Sequence, residues 1–265
     1  MLQKSVNLFG LFIDDIDIET AILFAQRAIA SGEQVSFFTP NLEMLSSARK
    51  SEEIRKMLNS ATYLIPDGFG LKLVARMLGE KLENTVAGID FGELLLKSAQ
   101  KSGAGVFLLG GKRGVAKLAL SKLKQKYPHL KICGTYHGYF NENDVNGVCD
   151  LINSSNANVL IVCRGFPLQE KFVLDYRCQL PTVNVFACLG GALDVWSGKY
   201  KRAPLSIREM HLEWLWRMAQ DPSRIRRFVS SLPIIIVASQ KGVAKFIFKG
   251  IKAKRDAYNQ TSVSF

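Results

Sequence analysis

Short apolar segments alternate with longer amphipathic segments through the first 190 residues of the chain. The apolar segments are typical of buried strands, and those between them carry apolar residues at helical spacing. This alternation predicts an α/β protein with a Rossmann-like, doubly wound, mostly parallel sheet. The predicted strands are Val6–Ile13, Val35–Phe38, Tyr63–Ile65, Val106–Leu109, Lys131–Cys133, Val159–Cys163 and Val183–Cys188. The predicted helices are Glu19–Ser31, Leu42–Asn59, Leu71–Leu78, Phe91–Ser102, Val115–Tyr127, Val145–Asn153 and Gln169–Cys178.

The pattern changes after Gly190 and Gly191, because residues 204–255 show helical signals only. The charge changes at the same place. Residues 199–265 carry 14 Lys/Arg and 4 Asp/Glu, a net charge of +10, whereas residues 1–198 carry 21 and 19, a net charge of +2. We therefore expect an α/β body over residues 1–198 and a basic helical appendage over residues 199–265.

The composition limits the classes of partner and the cellular compartment that we expect. A basic module suits nucleic acid, anionic lipid or a phosphorylated substrate. The longest apolar run, Leu232–Ala238, is far shorter than the ~18–20 residues that span a bilayer, so a membrane contact would be peripheral. Five scattered cysteines without a C-x-x-C pair favour a reducing cytoplasm, and three scattered histidines do not indicate a metal cluster.

The stretch from Ala61 to Gly70 carries the main candidate for chemistry. Asp67 follows a short apolar strand, at the edge where open α/β sheets place their active sites. Gly68 and Gly70 allow the backbone to approach a ligand closely. Asp67 is therefore a candidate general base. The alternative is a helix N-cap followed by glycines of a tight turn.

Three other strand ends carry polar candidates, each with a structural alternative. Thr39 and Asn41 follow a strand expected beside that of Asp67, and they could share its crevice or cap the next helix. The amide of Gln169, followed by Glu170, could bind a uracil edge or a sugar hydroxyl, or simply open a helix. The turn over residues 110–114 could bind a diphosphate through the N–H groups of Gly110 and Gly111, or be a plain βα turn.

The acidic pair Asp15 and Asp17 has the D-x-D spacing that many sugar-nucleotide enzymes use for a metal. Both residues come directly before a predicted helix, where negative charge interacts favourably with the helix dipole. We therefore interpret the pair as a helix start. We expect neither a metal ion nor another cofactor.

The appendage contains a basic loop with Arg202, followed by Arg217, Arg224 and Arg227. The last three lie at spacings of seven and three, which places them on one face of a continuous helix. Three guanidinium groups on one face suit a diphosphate. The alternative is a solvated charged stripe, and Pro222 could kink the helix.

Taken together, these motifs resemble the WecG/TagA/CpsF family of bacterial glycosyltransferases (glycosyltransferase family 26). The resemblance covers roughly residues 6–230 in collinear order. The matching segments are Thr39-Pro-Asn41, Pro66-Asp-Gly-x-Gly70, Val106-Phe-Leu-Leu-Gly-Gly111, Tyr127-Pro128, Gly138-Tyr-Phe140, Gly165-x-Pro-x-Gln-Glu170, Gly190-Gly191, Gly198-x-x-Lys-Arg-Ala-Pro204 and Leu212-Glu-Trp-Leu-x-Arg217 with Pro222-x-Arg224-x-x-Arg227.

The resemblance implies an inverting, metal-independent transferase with a Rossmann-like fold. Such enzymes move a sugar from a UDP-sugar to a sugar on a polyprenyl-diphosphate lipid, in the synthesis of teichoic acid, common antigen, capsule or exopolysaccharide. The appendage would dock on the inner face of the cell membrane and complete the active site. The base that the resemblance implies is Asp67, with Thr39 beside it, and the implied arginines of the appendage are Arg217, Arg224 and Arg227. We further expect Asn41 at the catalytic site. The other expected substrate contacts are Gly68, Gly110, Gly111, Tyr139, Gln169, Glu170 and Arg202.

The chain departs from the family pattern at two places. No arginine occurs in the stretch Glu83-Asn-Thr85, where the family commonly has one. Leu168 stands where the Pro-x-Gln-Glu motif usually has Lys or Arg, whereas Arg164 stands just upstream. We interpret Arg164 as a displaced positive charge.

The end of the chain predicts a membrane-surface segment over residues 228–255. Residues 228–238 are strongly apolar, and the lysines that follow share one helix face, namely Lys241, Lys245, Lys249 and Lys252. The alternative is an amphipathic helix packed on the body. For the whole protein, the alternative function is a non-catalytic nucleotide-binding or regulatory module. We expect no nucleic acid partner, and the sequence leaves a homo-oligomer open.

Overall fold

The computed structural model describes residues 4–242 and contains a six-stranded parallel sheet with a separate two-stranded hairpin. The hairpin strands are β1 (Ser5–Leu8) and β2 (Leu11–Asp14). The order across the parallel sheet is β4-β3-β8-β7-β5-β6. Its strands are β3 (Val35–Phe38), β4 (Tyr63–Leu64), β5 (Val106–Gly110), β6 (Ile132–Tyr136), β7 (Val159–Cys163) and β8 (Val185–Cys188).

Helices cover both faces of the sheet. Alternate residues of each strand point to opposite faces, so that Phe37 packs into one apolar core and Phe38 into the other. The helices of the body are α1 (Ile18–Ser31), α2 (Leu42–Lys50), α3 (Glu52–Asn59), α4 (Phe69–Met77), α5 (Gly88–Ser102), α6 (Val115–Lys126), α7 (Val145–Ser154), α8 (Leu168–Tyr176) and α9 (Ala192–Trp196). The predicted Rossmann-like, doubly wound α/β class is confirmed.

The predicted strand Val6–Ile13 was wrong, because the chain turns back at Phe9 and Gly10. Both residues have positive φ, 55° and 85°, as a tight two-residue hairpin turn requires. Asn7 Oδ1 accepts a hydrogen bond from the Gly10 N–H at 2.7 Å. The hairpin therefore lies outside the parallel sheet, and its apolar residues pack into the core.

The predicted helix Leu42–Asn59 is two helices, α2 and α3, separated at Ser51. Ser51 has extended backbone angles, and its side chain accepts a hydrogen bond from the Ile54 N–H at 3.3 Å. An N-cap of this kind begins a new helix in a new direction. Each of the two segments is amphipathic at helical spacing, which is why the sequence predicted one helix.

In the described part of the chain after β8, all regular structure is helical, as predicted. Beyond α9 follow α10 (Leu205–Glu209), α11 (Glu213–Gln220), α12 (Ser223–Ser231) and a helix that runs from 233 to the last described residue. Ile234 and Ala238 are buried in the core, and Lys241 Nζ lies 5.0 Å from the centre of the Phe9 ring. This part of the predicted membrane segment therefore packs on the body, as its alternative stated. Lys245, Lys249 and Lys252 lie outside the described residues.

Exposed apolar side chains remain on the outer surface of these helices. Trp214 stacks on Phe228 with ring centres 4.5 Å apart, and it is still 43% exposed. Val229 and Ile236 are more exposed, at 54% and 60%. Within residues 4–242, no helix is both long enough and apolar enough to cross a bilayer.

Candidate active site

Asp67 lies in the loop between β4 and α4, at the carboxyl edge of the sheet. As predicted, β3 and β4 are parallel neighbours, and two backbone hydrogen bonds fix the loop. The Asp67 N–H donates to the Pro40 carbonyl at 2.8 Å, and the Pro66 carbonyl accepts from the Val86 N–H at 2.8 Å. Gly68, with φ 83°, is the residue that precedes α4. Asp67 is therefore not the N-cap of this helix.

The surroundings of Asp67 suit a carboxylate that must accept a proton. Burial raises its pKa to about 6, the nearby Arg217 guanidinium lowers it, and the Glu213 carboxylate raises it. A hydrogen bond from the Gly88 N–H lowers the pKa and the Asp90 carboxylate raises it. At pH 7 the group is therefore mostly ionised, yet it is a stronger base than an exposed aspartate.

Thr39 and Asn41 make different contacts beside Asp67. The buried Thr39 hydroxyl donates to the Cys188 carbonyl at 3.0 Å and so connects the carboxyl ends of β3 and β8. Asn41 is the N-cap of α2, with Oδ1 accepting from the Met44 N–H at 3.1 Å. Asn41 therefore has the helix-capping role that we gave as its alternative. The part of Thr39 in the reaction stays a prediction.

Three arginines of the appendage line a cleft next to this loop, and each is paired with a carboxylate. Arg202 makes a bidentate pair with Asp90, with both N–O distances at 2.6 Å. Arg217 Nη2 donates to Glu213 Oε1 at 2.9 Å. Arg224 Nε donates to its i−3 neighbour Asp221 at 3.2 Å. The cleft therefore presents guanidinium groups whose orientation is already set.

The predicted continuous helix through these arginines is interrupted, because α11 ends at Gln220 and α12 begins at Ser223. Pro222 lies in the break. Proline has no backbone N–H to donate within a helix, so a position between two helices suits it. Arg217 and Arg224 nevertheless line the same cleft. Arg227 lies on α12, and its side chain is outside the described part of the structure.

Gly110 is the last residue of β5, and Gly111 begins the turn that follows. The Gly111 N–H donates to the Cys163 carbonyl at 3.0 Å, and the Gly111 carbonyl accepts from the Gly138 N–H at 2.9 Å. Gly110 is in backbone contact with Cys163, where a Cβ atom would collide with the carbonyl oxygen. This N–H of Gly111 is used within the protein, and the predicted diphosphate contact of the turn stays a prediction.

Gln169 and Glu170 are buried at the start of α8 and support another turn. Gln169 Oε1 accepts from the Gly190 N–H at 3.0 Å, and its Nε2 donates to Glu170 Oε1 at 2.7 Å. Burial raises the pKa of Glu170 to about 7, against the lowering effect of the Gln169 hydrogen bond. Gln169 Oε1 thus holds the turn that leads into Gly191, and Gln169 Nε2 is used by Glu170. Its predicted contact with uracil or sugar stays a prediction.

Tyr139 is 69% exposed on a loop that Arg164 holds in place. Arg164 Nε donates to the Gly138 carbonyl at 2.9 Å, and its guanidinium lies 3.7 Å from the centre of the Phe140 ring. Burial lowers the pKa of Arg164. The positive charge that we interpreted as displaced from position 168 therefore fastens this loop.

Of the acidic pair, Asp17 has the helix-start role that we inferred, whereas Asp15 contacts the backbone of the distant residues Glu83 and Asn84. Asp17 is the N-cap of α1, accepting from the Thr20 N–H at 2.8 Å, and this hydrogen bond lowers its pKa. Asp15 accepts from the Glu83 N–H at 3.0 Å and the Asn84 N–H at 2.8 Å. Among residues 4–242, no group of three or more His, Cys, Asp or Glu side chains has an arrangement that could hold a metal ion.

Sequence reasoning missed the carboxylates that hold the arginines, namely Asp90, Glu213 and Asp221. Two of them had a usable signal, because Glu213 lies four residues before Arg217 and Asp221 lies three before Arg224. The Asp90–Arg202 pair joins residues 112 positions apart. No local spacing could reveal that pair.

A parallel Rossmann-like sheet with a cleft at its carboxyl edge is the architecture of many nucleotide-binding α/β enzymes. The chain belongs to the WecG/TagA/CpsF family of glycosyl transferases, whose family model matches residues 6–245. Its similarity to curated proteins extends over about three quarters of their length.

Two relatives carry the same name, N-acetylglucosaminyldiphosphoundecaprenol N-acetyl-beta-D-mannosaminyltransferase. The protein of Bacillus subtilis (strain 168) is 35% identical over 192 residues, 72% of this chain and 74% of its own. The protein of Bacillus spizizenii (strain ATCC 23059 / NRRL B-14472 / W23) is 34% identical over 203 residues, 77% of each chain.

Proposed function

We propose that this enzyme transfers a sugar from a UDP-sugar to the sugar of a polyprenyl-diphosphate lipid, with inversion at the transferred carbon. The relatives are named for transfer of N-acetylmannosamine to a diphosphoundecaprenol-linked N-acetylglucosamine, which supports this acceptor class. The observation that carries the proposal is a carboxylate with a raised pKa beside a cleft lined by arginines.

In the proposed reaction, Asp67 takes the proton of the acceptor hydroxyl. The hydroxyl oxygen forms a bond to the anomeric carbon of the donor sugar, while the bond from that carbon to the UDP oxygen breaks. UDP leaves from the opposite face with the bonding electron pair, which inverts the configuration. A single positioned base suffices for this displacement.

The departing diphosphate gains negative charge, and the arginines of the cleft supply positive charge at that place. Arg202, Arg217 and Arg224 are each oriented by a carboxylate, so little reorganisation is needed when the diphosphate binds. Guanidinium groups bind phosphate oxygens in a bidentate manner, and on this basis we propose that the reaction needs no divalent metal.

We further propose that the appendage, residues 199–265, rests on the anionic inner face of the cell membrane. The exposed apolar residues of α11 and α12 support this placement. Trp214 on α11 and Val229 on α12 are exposed, and the same two helices carry Arg217 and Arg224 of the cleft. Aromatic and aliphatic side chains beside basic residues are typical of interfacial helices. The membrane would then bring the lipid-linked acceptor to the cleft.

The test is product formation by the purified full chain with a soluble, short-chain polyprenyl-diphosphate N-acetylglucosamine. UDP-N-acetylmannosamine, UDP-N-acetylglucosamine and UDP-glucose are compared as donors, with and without EDTA, and the anomeric configuration of the product is read by NMR. We expect transfer from at least one donor, inversion, and the same rate in EDTA. Retention, or loss of activity in EDTA that Mg²⁺ or Mn²⁺ restores, would contradict the mechanism.

A further inference from the structure

Arg217 lies near two carboxylates that have different roles. Glu213, one turn earlier on α11, binds its guanidinium at 2.9 Å. Asp67 lies near enough that the Arg217 charge lowers its pKa, whereas Glu213 raises it. In the proposed function, Arg217 binds diphosphate and Asp67 accepts a proton. A direct Arg217–Asp67 ion pair would impair the second role, because a guanidinium in contact with a carboxylate lowers its pKa and so weakens the base.

We propose that Glu213 is a positioning residue that keeps Arg217 paired on its own helix and away from Asp67. This inference rests on the proposed function of Asp67 as the base. Glu213 precedes Arg217 by four residues, which is the favourable order for a pair on one helix. The side chains are only 20% and 33% exposed, so solvent screens this pair less than a surface pair.

The other charged groups around Asp67 follow the same arrangement. On α5, Asp90 faces Asp67 with its negative charge and is itself bound by Arg202. On α11, the facing groups are Glu213 and Arg217. Arg202 and Arg217 thus each have a carboxylate partner of their own. Removal of Glu213 would leave Arg217 with Asp67 as a nearby carboxylate.

A purely structural role for Glu213 predicts something different. A helix pair at this spacing stabilises a helix only weakly, and its loss would leave the titration of Asp67 unaffected apart from the missing charge. The distinguishing quantity is therefore the acid limb of the pH profile of kcat/KM. This limb reports the pKa of the base, since Asp67 must be deprotonated to act.

The experiment measures this limb for the full chain and for the variants Glu213→Gln, Arg217→Gln and the double variant. The control is Glu209→Gln on α10, which removes one exposed negative charge outside the pair. We expect Glu213→Gln to move the limb about one pH unit lower and the control to leave it in place. Because the base becomes weaker, we expect the plateau to fall about three- to tenfold.

Arg217→Gln should move the limb to higher pH, because a charge that favours the carboxylate is lost. In that background, adding Glu213→Gln should move the limb by clearly less than it does alone, because no guanidinium is left to be released. Equal movement in both backgrounds would overturn the inference, since Glu213 would then act only through its own charge. An unchanged limb in Glu213→Gln would overturn it as well.

Two further variants keep the outcome interpretable. If Glu213→Gln fails to fold, Glu213→Asp retains the charge with a shorter reach, and it should lower the limb by a smaller amount; a wild-type limb would then overturn the inference. Asp67→Asn separates this inference from the proposed function. If Asp67→Asn keeps the acid limb, the assignment of the base fails. If the limb disappears in Asp67→Asn but stays in place in Glu213→Gln, only the role of Glu213 fails.

Discussion

The ion pair between Asp90 and Arg202 should fasten the appendage to the body, and Asp90→Asn tests this directly. The pair joins the first turn of α5 to the loop before α10 through two N–O contacts of 2.6 Å. Arg202 is only 19% exposed and Asp90 is 40% exposed. Asp90 is the carboxylate in direct contact with this guanidinium, and within the described residues no acceptor reaches Arg202 Nε.

The magnitude follows from this geometry. Hydrogen bonds to charged groups contribute ~1.5–3 kcal/mol when well formed, and the partial exposure of Asp90 reduces that figure. We expect Asp90→Asn to lower the free energy of unfolding by about 1–2 kcal/mol. For a chain of this size, the melting temperature should fall by roughly 2–6 °C.

Urea unfolding and thermal unfolding of the full chain measure the loss, with Glu52→Gln as the control. Glu52 pairs with Lys56 on the surface, where both side chains are more than 60% exposed, so its loss should cost at most about 0.5 kcal/mol. Limited trypsin digestion should also cut faster after Lys199 and Lys201 in Asp90→Asn. Equal stability and equal digestion of Asp90→Asn and the wild type would refute the reasoning.

Two further predictions concern a buried carboxyl group and the outer surface of the appendage. Burial raises the pKa of Glu170 from 4.5 to about 7, so the folded state binds more protons than the unfolded state between these pH values. The free energy of unfolding of the wild type should therefore fall as the pH rises through this window. Urea titrations at pH 5 and pH 8 should show a smaller fall for Glu170→Gln. An equal loss in both proteins would show that Glu170 is not the group that titrates. The double substitution Val229→Ser and Ile236→Ser should weaken co-sedimentation with anionic vesicles about tenfold, because two exposed apolar side chains are lost, whereas Leu118→Ser on α6 should not. Unchanged vesicle binding by the double variant would argue against this membrane-facing surface.

The alternation of apolar and amphipathic segments was enough to predict the fold class, because each strand of a parallel sheet is buried and each crossover needs a helix. It failed in the segment Val6–Ile13, where the turn at Phe9 and Gly10 interrupts a mostly apolar run. Phe9 in the hairpin turn reads as part of a strand, and its positive φ is visible only in the structure.

The residues of the candidate site were found only in part. Motif and strand-end position identified Asp67, whose raised pKa depends on burial and on charges from α5 and α11. The same reasoning predicted that Asn41 could lie in the crevice, whereas the structure shows it as the N-cap of α2. Capping and catalysis use the same residue types at a helix start, so the sequence does not distinguish them. The partner of Arg202 could not be found, since Asp90 is brought to it by the tertiary packing.

The central claim is that Asp67 is the base, and the transfer rate of Asp67→Asn tests it most directly. Asparagine keeps the size and polarity of the side chain but cannot take the acceptor proton. We expect transfer to the soluble acceptor to fall by about 10²–10⁴ while the dissociation constant for UDP stays unchanged. Transfer at close to the wild-type rate, with the fold intact, would contradict the account.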